Sequence, residues 1–168
     1  MSEVQHGGGK MARIQAITPF LWFDKEARDA AKFYTSVFKG SKTKDSTTLH
    51  NTPSGTVEIL TIELLGQEFA LMSAGPLFKF NESISFVVNC KTQREIDYYW
   101  KKLSADPKAE QCGWLKDKYG VSWQIQPTVL GKMLRDRDRR KVARVTEAFL
   151  KMKKFDIAAL ERAYKGRK

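Results

Sequence analysis

An internal repeat constrains this chain more than any other feature. Displacing the sequence by 66 residues lays Phe33-Tyr34 on Tyr99-Trp100, Val37 on Leu103, and Phe20-Leu21-Trp22 on Phe86-Val87-Val88. Toward the end of each half the offset falls to 54, where GQEFALMS meets GVSWQIQP. Two supersecondary units in 168 residues leave room for one domain of two modules with a shared core.

The order of elements within each half follows from periodicity. Residues 14–23 read as a strand, and Asp24 is placed to cap the helix KEARDAAKFYTSVF, with Ala27, Ala30, Ala31, Tyr34 and Phe38 at helical spacing. Lys39-Gly40 ends it. Strands are expected at residues 42–50, 56–65 and 67–73, the last two joined by a tight turn at Gly66. After the loop AGPLFKFNE the pattern restarts: a strand at 83–90, the helix QREIDYYWKKL capped by Thr92, and short strands near 111–115 and 121–126. The segment DKYGVSWQIQP alternates strictly, with Val121, Trp123 and Ile125 on one face and Ser122, Gln124 and Gln126 on the other. The expected architecture is α+β: duplicated βαβββ modules at 14–75 and 82–127, within a domain spanning 11–132.

Charge separates the C-terminal segment from the rest. Residues 132–168 hold 14 Lys and Arg against 5 Asp and Glu, so nine of the eleven net positive charges lie there. Residues 133–168 are expected to form a basic helical extension. Val142, Val145, Phe149 and Met152 make its apolar stripe, and the basic face is either solvated or in contact with phosphates of a nucleic acid. No apolar run reaches the roughly 18 residues of a membrane span. Residues 1–10, MSEVQHGGGK, read as a flexible tail or cloning remnant, with Met11 as a possible native start. Two cysteines, Cys90 and Cys112, make no disulfide framework or zinc spacing, so the expected location is cytoplasmic. His50 reads as a hairpin-loop residue.

The phrases ITPFLWFD, KFYTSVF, AGPLFKFNE, ISFVVNC, QCGWLKDKYGVSWQIQPTVL and MKKFDIAALERAYKG, together with the duplication, closely resemble one family. It is the PhnB-like, or 3-demethylubiquinone-9 3-methyltransferase-like, branch of the vicinal-oxygen-chelate (glyoxalase/bleomycin-resistance) superfamily, and the resemblance runs over about residues 14–166. It implies module sheets curled around a cup, and a homodimer. In metal-using members four strand positions ligate a divalent ion. Carried over, they fall at Thr18, Ala70, Ser83 or Ile84, and Gln124. None is an anion or an imidazole, the groups that replace a divalent ion's hydration, so no metal is expected. Glu58, Glu63 and Glu68 are expected to face solvent.

The resemblance turns the glutamine face toward the cup. The expected ligand contacts are Thr18, Phe20, Trp22 and Met72 from the first module and Gln124 and Gln126 from the second. Phe80 comes from a loop that also holds Phe78 and Asn81 and is either a lid or an aromatic clamp at a dimer interface, and Trp114 either stacks on a planar ligand or covers the barrel edge. The expected function is metal-independent binding of a small planar or aromatic molecule, with turnover open. The family label supplies a competing activity, methyl transfer to a quinone-like phenol. That activity would need S-adenosylmethionine, yet no glycine-rich strand-to-helix turn is present to hold it. Cys112 is the one candidate nucleophile; without a partner histidine it reads rather as a buried structural thiol.

Overall fold

The computed structural model describes residues 15–167. The expected tail at 1–10, the start at Met11 and the first residue of the expected first strand lie outside them. The elements are β1 (Phe20–Phe23), α1 (Ala27–Val37), β2 (Lys42–Thr52), β3 (Gly55–Leu64), β4 (Gln67–Ser73), β5 (Phe86–Cys90), α2 (Gln93–Leu103), β6 (Trp114–Lys116), β7 (Ser122–Pro127), α3 (Thr128–Leu134), α4 (Arg139–Leu150) and α5 (Ile157–Lys165). The architecture is α+β with helices at the C-terminal end. Two mixed sheets form and do not close into a barrel: β1-β4-β3-β2 and β5-β7-β6. In each, the first strand of the module runs parallel to the last, and the remaining pairs are antiparallel. The second module has three strands rather than four. Between α2 and β6, where the first module has β2, Pro107–Ala109 form a single 3-10 turn; Pro107 has no N–H to give a ladder.

Each helix buries the stripe its sequence predicts. Ala27, Ala30, Ala31, Tyr34 and Val37 of α1 pack on β3 and β4, and Ile96 and Leu103 of α2 pack on the second sheet. The small alanines let α1 approach its sheet closely. Their N-termini differ. Thr92 caps α2 as expected, in a reciprocal capping box with Glu95. Asp24 does not cap α1: Glu26 holds the cap position without a side-chain bond, and the Ala27 N–H donates to Ser73 Oγ at the end of β4 instead. The turn between β3 and β4 uses Leu65 and Gly66, both at positive φ, the two-residue geometry that matches strand twist.

Aromatic side chains join the two modules. Phe38 stacks on Tyr99 at 5.3 Å and meets Trp123 at 5.3 Å, and Phe69 meets Phe86 edge-on at 5.1 Å. Within this seam Asp117, 3% exposed, accepts from Tyr34 Oη (2.8 Å), Trp123 Nε1 (2.8 Å), and the backbone N–H groups of Tyr119 (2.9 Å) and Val121 (3.1 Å). Both helices therefore cover the same side of the pair of sheets.

The extension docks on the second module. Val145, Phe155 and Leu160 are buried, with Phe149 and Met152 packed beside them. The N–H groups of Cys112 and Gly113 donate to the Met152 and Lys153 carbonyls, and Gln93 bonds both Phe155 O and the Ile157 N–H. Among the described residues no helix is long and apolar enough to cross a membrane.

Candidate functional site

Cross-strand register decides which side chains share a face. Phe20 pairs with Ala70 and Trp22 with Met72 in the first sheet. In the second, Gln124 pairs with both Trp114 and Val87, and Gln126 with Asn89. The intervening residues Leu21, Phe23, Val88 and Ile125 are buried beneath the helices. Phe20, Trp22, Met72, Trp114, Gln124 and Gln126 thus all lie on the helix-free side, the side expected of them. They do not converge on a single cavity.

The four positions that ligate metal in the superfamily can be placed by the same register. Phe20 lies opposite Ala70 just as Val87 lies opposite Gln124, so Phe20 corresponds to Val87, an offset of 67 rather than 66. Thr18, two residues before Phe20, then corresponds to Ser85, and not to Ser83 or Ile84 as expected from sequence. Ser85 Oγ is bonded by Gln124 Nε2 at 2.8 Å, and Gln124 Oε1 accepts from Gln126 Nε2 at 2.6 Å. The set is therefore two hydroxyls, a methyl and an amide already engaged. These residues do not fit a divalent ion, and among the described residues no group of three or more His, Cys, Asp or Glu comes together. Glu58 and Glu68 are ion-paired with Arg28 and Lys44, and Glu63 lies opposite Lys42 on β2.

A cavity of about 640 Å³ opens where the modules meet, walled by Phe38, Leu64, Phe69, Phe86 and Trp123 and holding none of the expected contacts; two more border Ser122. One of these two, about 350 Å³, lies between the unpaired edges of β1 and β5, walled by Phe20, Phe80, Ile84 and Phe86 with Lys79, Asn81, Ser83 and Ser122 as polar groups. The second, about 410 Å³, is bounded by Gln111, Cys112, Trp114, Lys116, Glu82 and again Ser122. Of the expected contacts, then, Phe20 and Phe80 share one cavity and Trp114 borders the other. Thr18, Trp22, Met72, Gln124 and Gln126 line neither. Trp22 is tied instead to the start of the inter-module loop, donating to Gly75 O at 2.8 Å with Phe78 edge-on at 5.1 Å.

Ser122 is in both walls. It is 1% exposed, and its Oγ is the one buried side-chain polar atom among the described residues with no hydrogen-bond partner. Such an atom forfeits its hydration without compensation, which makes it a natural anchor for something polar. Directly across the hairpin, Lys116 pairs with Ser122 and ion-pairs with Glu82 at 2.5 Å, which holds the Glu82 carboxyl below its ordinary range. Sequence reading put Ser122 on the right face but gave no role to Ser122, Glu82, Lys116 or Ser85. Lys116 and Ser122 pair across a five-residue loop, 117–121, one residue longer than the turn-forming stretch 117–120, whose immediate flanks would be Lys116 and Val121.

The remaining candidates separate by environment. Burial pushes the Cys90 thiol up to about 12, with Glu95 adding to the effect. Cys112 sits half-buried with Sγ 3.8 Å from Leu150 O and no histidine beside it. His50 lies in the exposed β2–β3 hairpin, 3.2 Å from Thr56 Oγ1. The strand-to-helix turns at 24–26 and 91–92 contain no glycine, so the backbone approach a classical methyl-donor site requires is absent from both.

Paired βα units with the first and last strands parallel, helices on one side and an open opposite face define the vicinal-oxygen-chelate fold. The family model for 3-demethylubiquinone-9 3-methyltransferase matches residues 15–126, and the chain belongs to that family. The PhnB protein from Bacillus cereus is similar at 33% identity over 68% of this chain and 100% of that one, with a TM-score of 0.56. The fosfomycin resistance protein FosX from Listeria monocytogenes shares the fold at 13% identity, covering 74% of this chain and 100% of that one, with a TM-score of 0.50. No curated protein matches significantly. The matched region stops at residue 126 rather than 166, so α3, α4 and α5 lie beyond it.

Proposed function

We propose that the chain binds a small planar or aromatic molecule between its two modules, without a metal ion, as a homodimer. The observation that carries this is the cavity of about 350 Å³ between β1 and β5, with three phenylalanines and Ile84 for walls and few polar groups to fix orientation. The donor set at the superfamily's metal positions supports the metal-independent part. Ile17, Ile84 and Val87 are exposed beside the junction of the two modules, which supports a second copy of the chain as its cover.

Fluorescence titration with naphthol tests the reading. Phe20 is half-exposed, so Phe20→Ala keeps the fold and is expected to weaken binding about tenfold, the effect of removing part of an aromatic wall. Equal affinity in wild type, Phe20→Ala and Phe80→Ala would count against it. The family name supplies methyl transfer to a quinone-like phenol as the rival activity. A thermal shift with S-adenosylmethionine at millimolar concentration would favour that activity; the glycine-free turns lead us to expect none.

A further inference from the structure

We propose that the two cavities bordering Ser122 are halves of one site for an aromatic carboxylate, with the Glu82–Lys116 ion pair as an exchangeable latch between them; the inference rests on the binding reading above. Ser122 borders both halves. The segment 81–84 runs between them: Asn81, Ser83 and Ile84 line the apolar half, while Glu82 turns into the other and meets Lys116. Lys116 and Ser122 are a cross-strand pair on one face, so a charged donor and an orphaned hydroxyl are presented side by side.

Glu82 occupies the position of a ligand's acid group. Its carboxylate takes the Lys116 ammonium, yet its side chain is 62% exposed against 23% for Lys116, so it can leave for water at small cost while Lys116 cannot. Glu82 makes no bond to Ser122, whose hydroxyl stays unpartnered. An incoming carboxylate would accept from the Lys116 ammonium with one oxygen and from Ser122 Oγ–H with the other, two charge-assisted bonds where the latch makes one. The flat remainder of the molecule would lie against Phe20, Phe80 and Phe86, or against Trp114 on the other side. Lys116 stands beside Ser122 and faces Glu82, whereas Lys79 lies at the apolar half, so the bidentate position offers one ammonium and one hydroxyl, the complement of a carboxylate.

The test compares naphthoate with its uncharged amide, naphthamide, by calorimetric titration of the full chain. Glu82→Gln removes the competing carboxylate and is expected to tighten naphthoate binding by roughly threefold or more, whereas Lys116→Met and Ser122→Ala weaken it, the former about tenfold. Naphthamide affinity is expected to stay constant across the three. If both compounds bind and both depend on Phe20, but naphthoate ignores Glu82 and Lys116, the latch is overturned and the binding reading survives. If neither compound binds, both fall. Should Lys116→Met fail to fold, the exposed Glu82→Gln change decides alone: unchanged naphthoate affinity overturns the proposal.

Discussion

Asp117 concentrates at one residue the cost and the benefit of joining two modules. Its carboxylate is buried without a cation, and desolvation raises its pKa above the ordinary value although four hydrogen bonds pull the other way. The same burial, then the Asp117 charge, holds the Tyr34 phenol un-ionised well beyond its usual range. Because the folded pKa is the higher one, the folded state keeps a proton that the unfolded chain releases above about pH 3.9. The Asp117 contribution to stability therefore grows as pH falls through the folded pKa and is smallest at neutral pH. Asp117→Asn presents an NH₂ to donors on one side of the carboxyl and is expected to cost roughly 1–3 kcal/mol. Urea melts of wild type and variant at neutral and acid pH should show the gap between them widening on acidification; a constant gap would show that Asp117 does not titrate in this range.

At the scale of elements, the sequence was legible where local physics decides. The α1 stripe, the Thr92 cap, the Gly66 turn and the alternation of β7 all formed as their residue types dictate. Face assignment across modules was less legible. The helices do repeat at 66, α1 starting at Ala27 and α2 at Gln93, but β1 and β5 correspond at 67 because one turn is a residue shorter than the other. A slip of one residue in a strand exchanges its two faces, and it is this slip that put Ile84 in the place of Ser85. The cavities were invisible for another reason: they lie between elements, and even the pairing of Lys116 with Ser122 turns on a loop one residue longer than residues 117–120 suggest. Docking of the extension depends on one backbone conformation, since Gly113 has φ +83° and a Cβ there would meet the Phe155 ring at 2.3 Å. Gly113→Ala is expected to loosen α4 and α5 selectively, read as faster amide hydrogen exchange there than in β3 and β4. Uniform acceleration across the chain would instead show the extension to be integral to the core.

For the whole molecule, the unpaired edges of β1 and β5 and the apolar residues beside them are the surface on which the proposed second copy would sit. If a second copy covers this side, light scattering at micromolar concentration gives twice the 19.2 kDa chain mass, and Val87→Lys returns it to one. A monomeric wild type would remove the dimer from the proposed function.

The two helix N-termini also assign an order in time. The capping box of α2 is complete within four residues, whereas the first amide of α1 is met only by Ser73, 46 residues downstream, after β4 is in place. The second module's helix can nucleate from its own sequence; the first module's must await a long-range closure. A peptide of residues 91–104 should accordingly retain more helicity by circular dichroism than one of residues 25–38. Equal helicity would mean that the caps do not time assembly. With the expected inequality, the duplicated halves, alike in outline, have diverged in the route by which each becomes ordered.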